Sequence, residues 1–327
     1  MGRLRQITHE CRAHLAMAAA ILAAGLGQPI SVHADTGTVW HVQAGATNAD
    51  NARMSRRFYP ASLAVHPGDA IEFSMPSPEP HTVTLNPPQG AFVFGLLAPF
   101  GGQTLSGADT TLNSGQLNLG GTFTLKIANT VAPGTYRFVC VLHLGMTGTI
   151  SVVPPDQALP KTDAQYQAQA HAQQTVDLAQ AREIGVQSAV AAAHATDIGG
   201  AGIEVAVGGG EQSSASLRYF PSSSTIHVGD SVTFVNRDEF ATHSVTFGEL
   251  TPFIFFPYGN PTISDPNQQV NSGVLASASL LTYFSAPNPP LAPNMQFTAT
   301  FAAPGTYHYV CVFHDDMGMV GSLTVVP

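Results

Sequence analysis

Cysteine is almost missing from this 327-residue chain: there are three, Cys11, Cys140 and Cys311. Charge is scarce too, at 10% of residues, and lysine and arginine together number only 12. No His-x-His pair occurs anywhere, and no apolar run reaches the ~20 residues that a helix needs to cross a bilayer. Each shortage excludes something. So few cationic side chains, set against 21 aspartates and glutamates for a net charge of −9, leave no basic patch for nucleic acid or an anionic membrane surface. The missing apolar run speaks against membrane insertion, and three cysteines are too few for a disulfide scaffold.

Residues 1–34 read as a secretory signal. Arg3, Arg5 and Arg12 form a basic start, Leu15–Gly27 a short apolar core, and Val32-His33-Ala34 a cleavage site before Asp35. The rival reading is a transmembrane anchor, for which the apolar core is too short. The leader has no adjacent arginine pair, which favours the general export route. The expectation is a soluble chain, periplasmic or secreted after cleavage near Ala34. It keeps nine Lys and Arg against twenty Asp and Glu, and only Cys140 and Cys311. Exported cysteines commonly pair. These two, however, hold equivalent places in an internal repeat, so a disulfide would require the two copies to meet at those loops. Metal-bound thiolate is the better reading.

The repeat organises the chain. PGTYRFVCVLH at Pro133–His143 returns as PGTYHYVCVFH at Pro304–His314. Upstream, Arg57–Asp69 matches Arg218–Asp230 at an offset of 161 residues. Alternating Ala-Ile-Glu-Phe and Ser-Val-Thr-Phe follow the two Gly-Asp turns, and Asn113-Ser114-Gly115 and Asn271-Ser272-Gly273 mark a further shared turn. Short alternating strands with Gly and Pro turns predict an all-β fold of two Greek-key β-sandwiches. The predicted domains are residues 35–154 and 201–327, each long enough for its own core. The stretches Asn86–Leu112 and Gly248–Val270 are rich in apolar residues and read as lids or extra edge structure.

Residues 155–200 form the join. Lys161–Ala195 is rich in Ala and Gln and free of Pro, which predicts a helix with Gly199-Gly200 as terminator; a disordered linker is the alternative. Its large apolar residues, Tyr166, Val176, Leu178, Ile184, Val186 and Val190, give a weak stripe, and His171 and His194 read as solvated.

Each copy brings together a cysteine, two histidines and a methionine: a histidine on the strand-like segments His81–Leu85 and His243–Phe247, then Cys and His three residues apart, then Met. That is the donor set of a blue-copper site. Both repeats resemble the cupredoxins, the blue-copper family of plastocyanin, amicyanin and pseudoazurin, from the Gly-Asp turn to the final Val-Val-Pro. The resemblance implies the ligands His81, Cys140, His143 and Met146 in the first copy, whose short loop is amicyanin-like. In the second it implies His243, Cys311 and His314 with either Met317 or Met319. Counting forward from His314 selects Met317. Counting back from the final strand aligns Met146-Thr-Gly-Thr-Ile with Met319-Val-Gly-Ser-Leu, and Met319 is the choice. His66, His227, His41 and His308 read as structural or surface residues.

Tandem cupredoxin domains also build multicopper oxidases and copper nitrite reductases. The former need His-x-His pairs and the latter a histidine directly before the cysteine; here Val139, Val141, Val310 and Val312 flank the two cysteines. The resemblance therefore implies no enzyme but an electron carrier with two type 1 copper ions, exchanging electrons with a redox protein donor and acceptor. Copper storage or delivery is the alternative, weakened by the lack of open Met- and His-rich tracts. Leu142, Leu144 and Gly145 are expected to form an apolar docking surface at His143. Val312, Phe313, Asp315 and Asp316 are expected to form a partly acidic one at His314, so that the two sites favour different partners, the second one basic.

Overall fold

A computed structural model describes residues 37–88, 96–198, 202–249, 255–285 and 294–327. The leader read at residues 1–34 and the Gly199-Gly200 terminator lie outside the described residues. The first half holds β1 (Val39–Thr47), β2 (Arg53–Tyr59), β3 (Ser62–Val65), β4 (Ala70–Ser74), β5 (Thr84–Leu85), β6 (Thr104–Leu105), β7 (Leu112–Asn113), β8 (Thr122–Ile127), β9 (Gly134–Val139) and β10 (Thr147–Val152). After helix α1 (Asp163–Ile198) come β11 (Ile203–Gly210), β12 (Ser214–Phe220), β13 (Ser223–His227), β14 (Ser231–Asp238), β15 (Thr246–Phe247), β16 (Pro257–Tyr258), β17 (Thr262–Ile263) and β18 (Val270–Ser272). Helix α2 (Ala278–Ser285), β19 (Gln296–Phe301), β20 (Gly305–Val310) and β21 (Val320–Val326) complete the order.

The fold is mostly β, two halves with a helix between them. Alternation builds the strands: in β8 Phe123, Leu125 and Ile127 point inward, and in β14 Val232 and Phe234 do. β3-β10-β9-β5-β7 form one sheet in the first half, and β13-β21-β20-β15-β18-β16 its counterpart in the second. The opposing sheet is common to both halves. Its ten strands run β17-β19-β14-β11-β12-β2-β1-β4-β8-β6, and the halves join where β12 pairs antiparallel with β2, Ala215 opposite Met54. Each half keeps its own core, around Phe58, Phe73 and Phe138 in the first and Tyr219, Phe234 and Tyr309 in the second. The described parts of the long stretches supply edge structure, as β6 beside β8 and β17 beside β19.

Helix α1 begins with a capping box: Gln165 N–H donates to Thr162 Oγ1 (3.3 Å) and Thr162 N–H to Gln165 Oε1 (2.8 Å). It lies across β2, β11 and β12. The weak stripe of large apolar residues is not the seated face. Tyr166 and Ile184 are buried, but Val176, Val186 and Val190 are 60%, 49% and 63% exposed. The seated face carries mostly small residues, Ala170, Ala181, Gly185, Ser188 and Ala192. The sheet is too close for larger ones: a Cβ on Gly185 would lie 2.7 Å from Ser216 Oγ, and one on Gly209 2.1 Å from Ser188 Oγ. His171 and His194 are exposed, as read from the sequence.

The inward face of β14 turns polar as it continues, placing Asn236 and Asp238 in the interior. Asp238 receives Arg56 Nη2 from β2 at 2.7 Å, and both side chains are essentially inaccessible. Burial opposes ionisation of Asp238, but the charge of Arg56 and contact with His243 hold its carboxyl below the usual range. Asp238→Asn leaves Arg56 a buried charge without its partner. It should destabilise the chain by about 3–5 kcal/mol in equilibrium denaturation. Because the folded pKa is depressed, the difference between wild type and variant should stay level down to about pH 5 and shrink below it.

Candidate metal centres

β9 runs out at Val139, so Cys140 opens the loop to β10. That loop is closed by Cys140 N–H donating to the Met146 carbonyl (3.0 Å) and Met146 N–H to the His143 carbonyl (3.0 Å), with Gly145 at φ +84. β5 pairs with β9, Thr84 opposite Val139, which carries the preceding segment past the loop. The regular strand is shorter than His81–Leu85: His81 stands ahead of it, in an isolated bridge to Leu117. Three buried donors then converge. Cys140 Sγ lies 3.8 Å from His81 Nδ1 and 3.4 Å from His143 Nδ1, and Thr82 N–H donates to the sulfur at 3.4 Å.

The second half repeats the arrangement. Cys311 Sγ lies 3.7 Å from His243 Nδ1 and 3.5 Å from His314 Nδ1. In each trio all the donor atoms fall within 4.8 Å of one another. The shared Asn-Ser-Gly turn braces the histidine segments. Ser114 Oγ accepts from Val83 N–H and Ser272 Oγ from Val245 N–H, both at 2.8 Å. Asn113 and Asn271 accept from Thr84 and Thr246. The loop from Cys311 closes on Met319, whose carbonyl accepts from Cys311 N–H at 3.1 Å as that of Met146 does from Cys140. Met146 packs in the first core with Cys140 and Met319 in the second with Cys311. Met317 packs instead with Met54, Ala215 and Leu217 where the halves join.

The electrostatics favour thiolates. Burial alone would raise both thiols, but the flanking histidines more than reverse it, lowering Cys140 well below its ordinary value and Cys311 to about 5. Against the desolvation that would lower them, His143 rises to about 9, chiefly beside the Cys140 thiolate, and His243 to about 9, chiefly beside Asp238 and then Cys311. Two imidazole nitrogens and a thiolate aimed at one point, with no disulfide at either cysteine, fit a soft or borderline metal ion.

Three outer residues escaped the sequence reading. Gly45 and Gly208 sit at bulges in β1 and β11, both with positive φ. A Cβ there would fall 2.3 Å from His81 Nε2 or 2.7 Å from His243 Nε2, so glycine makes room for each ring. The register of the two bulges, not the 161-residue offset of the repeat, makes them equivalent. The third, Glu79, has no repeat counterpart. Its Oε1 lies 2.8 Å from His143 Nε2 and its Oε2 3.7 Å from His314 Nε2. Burial pushes this carboxyl upward, but the His143 hydrogen bond and the nearby histidine charges bring it down to about 2.

The docking surface expected at His143 is not available. His143 and His314 are only 5% and 4% exposed, because the halves meet beside them. Leu144 packs against Ala276, Leu280 and Leu281, and Leu142 in a cluster with Tyr283 and Phe284. Tyr283 Oη donates to the Val141 carbonyl at 2.9 Å, and the Gln212 side chain lies against Gly145, which stays exposed. At the other loop Asp316 is exposed and Phe313 half-buried, in ring contact with Phe255. His41, His66, His227 and His308 belong to neither trio.

The profile of the copper binding proteins of the plastocyanin/azurin family matches residues 43–153 and again residues 204–326. A plastocyanin of Scenedesmus fuscus is 34% identical over 112 residues, covering 34% of this chain and 90% of that protein. One from Sambucus nigra is 28% identical over 123 residues, 38% of this chain and 99% of its own. Among solved structures, the oxidised plastocyanin of Dryopteris crassirhizoma is 23% identical, covering 38% of this chain and 99% of that one, with a TM-score of 0.23.

In the metal-free protein the ultraviolet absorbance of thiolate should persist far below the ~8.5 of an unperturbed cysteine. One step should be lost as the pH falls through about 5, and Cys311→Ser should remove that step alone.

Proposed function

The chain belongs to the plastocyanin/azurin family of copper-binding proteins, and from that premise we propose that it is an exported electron-transfer protein holding two type 1 copper ions. The carrying observation is the pair of buried His-Cys-His trios, one in each half, each on a loop closed by a methionine. His81, Cys140, His143 and Met146 would hold one ion, and His243, Cys311, His314 and Met319 the other. Copper in a trigonal His2Cys set with a weak thioether changes oxidation state with little rearrangement. The protein supplies a fixed cage for that chemistry. Packed cores hold the methionines, turn hydrogen bonds hold the histidine segments, and Thr82 N–H takes up charge on the Cys140 sulfur.

Met319 is favoured over Met317 because its carbonyl closes the loop on Cys311 and its side chain shares that residue's core. Export rests on the sequence of residues 1–34. A carrier role without catalysis rests on the valines beside both cysteines and on the missing His-x-His pairs. Storage is the weaker reading, since donors this deeply buried are poorly placed for metal transfer. With the His143 lip covered, a redox partner would approach the rim of Phe313, Asp315 and Asp316, where its own surface would be basic.

Copper loading with metal counting, optical and EPR spectroscopy tests this. Two intense thiolate–copper centres per chain are expected, and Cys140→Ser and Cys311→Ser should each remove one. A third copper of another type would revive an oxidase reading. Met319→Leu should shift the spectrum and potential of the second centre. Met317→Leu should leave both unchanged and cost less than about 1.5 kcal/mol of stability.

A further inference from the structure

His143 and His314 each turn Nδ1 toward their own cysteine and Nε2 toward Glu79 of the first half. Between the two rings stands one carboxylate. Glu79 lies in Ser77-Pro78-Glu79-Pro80, and its two prolines fix their own φ and restrict the residue before each. The same segment runs directly into His81, so the backbone that positions Glu79 also positions a donor of the first trio. The side chain is only 13% accessible, and it gives one oxygen to each half: Oε1 to His143 at 2.8 Å, Oε2 to His314 at 3.7 Å.

The inner histidines have no such support. Among the described residues His81 Nε2 and His243 Nε2 have no hydrogen-bond partner, and Asp238 approaches the latter only to 3.8 Å. An imidazole that gives Nδ1 to a metal carries its proton on Nε2 and needs an acceptor there, which fixes the ring and raises its basicity as a ligand. For His143 that acceptor is Glu79, and the same side chain is the nearest carboxylate to His314 Nε2. One contact is at hydrogen-bond length and the other is 0.9 Å longer, so a carboxylate drawn toward one ring recedes from the other.

We propose that Glu79 is a positioning residue shared by both metal centres and that it couples them, so that occupancy of one is registered at the other. This rests on the reading that both trios hold copper. It adds that the two centres form one linked unit rather than two independent carriers, a link for which linkage requires reciprocity.

The test uses the full chain with copper(I) competed against a chromophoric chelator, and the copper(II) optical and EPR signature of each centre. Each centre is read alone in the Cys311→Ser and Cys140→Ser backgrounds. Glu79→Gln should weaken copper(I) binding at the first centre about 10–100-fold and shift its spectrum. In the Cys140→Ser background the second centre should weaken by a smaller factor and shift as well. In the protein with Glu79 intact, the first centre's affinity should differ at least about fivefold between the chain with both centres and Cys311→Ser, and Glu79→Gln should abolish that difference. A second centre identical in affinity and spectrum with Glu or Gln at position 79 overturns the proposal. So does a first centre indifferent to Cys311→Ser, a comparison that stands even if Glu79→Gln does not fold. Absence of any thiolate–copper signal in both cysteine variants and the wild type would instead reject the copper reading itself.

Discussion

The pairing of β12 with β2 is the constraint on which the rest of the structure depends. One sheet from each half is welded into a single ten-stranded sheet. A weld in that position leaves His143 and His314 of the two Cys-His loops facing inward. The apolar lip around Leu142 and Leu144, which a lone domain of this kind would offer to solvent, is spent on the other half of the same chain. The weld also explains α1. A helix spanning the seam must lie flat on strands from both halves, and closeness to the sheet selects alanine, glycine and serine on its seated face.

Burial at the seam has a cost that the chain meets with paired charges. Arg56 reaches across to Asp238, while Arg57 Nε and Tyr59 Oη converge on Asp177 of α1 at 3.0 and 2.5 Å. Such pairs are weak sources of net stability, but removing one partner is expensive, so they specify how the halves meet more than how tightly. They also differentiate the two centres. The inner histidine of the second half has Asp238 within 3.8 Å, and that of the first has no acidic partner at its Nε2 among the described residues.

Much of this was legible in the sequence because it is local. Cys and His three residues apart, the returning Asn-Ser-Gly turn and the alternation in β4 and β14 are short-range patterns, and the fold follows them. The seam left no such mark. The residues that pair across it, Arg53, Met54 and Ser55 with Ser214, Ala215 and Ser216, are individually unremarkable in a strand. The seated face of α1 was not legible for a physical reason: the space under the helix admits small residues, so most of its large apolar ones face outward. Glu79 was invisible to a method built on repeats, since its partner His314 comes from the other copy and its own position has no duplicate.

The two Cys-His loops differ in length, and the seam supplies a reason. The additional residues of the second loop include Met317, which fills a pocket made by Met54 from one half and Ala215 and Leu217 from the other. Arg218 Nη1 then donates to the Met317 carbonyl at 2.9 Å, and Arg218 Nη2 to the carbonyl of Asp50 in the first half at 2.7 Å. The extension is therefore an interdomain fastening, and the metal loop proper still closes through Cys311 and Met319 as the shorter one does through Cys140 and Met146. The first loop also meets the other half, through Val141, Leu142 and Leu144, but with no added residues, so the pair is asymmetric although the two cages are alike.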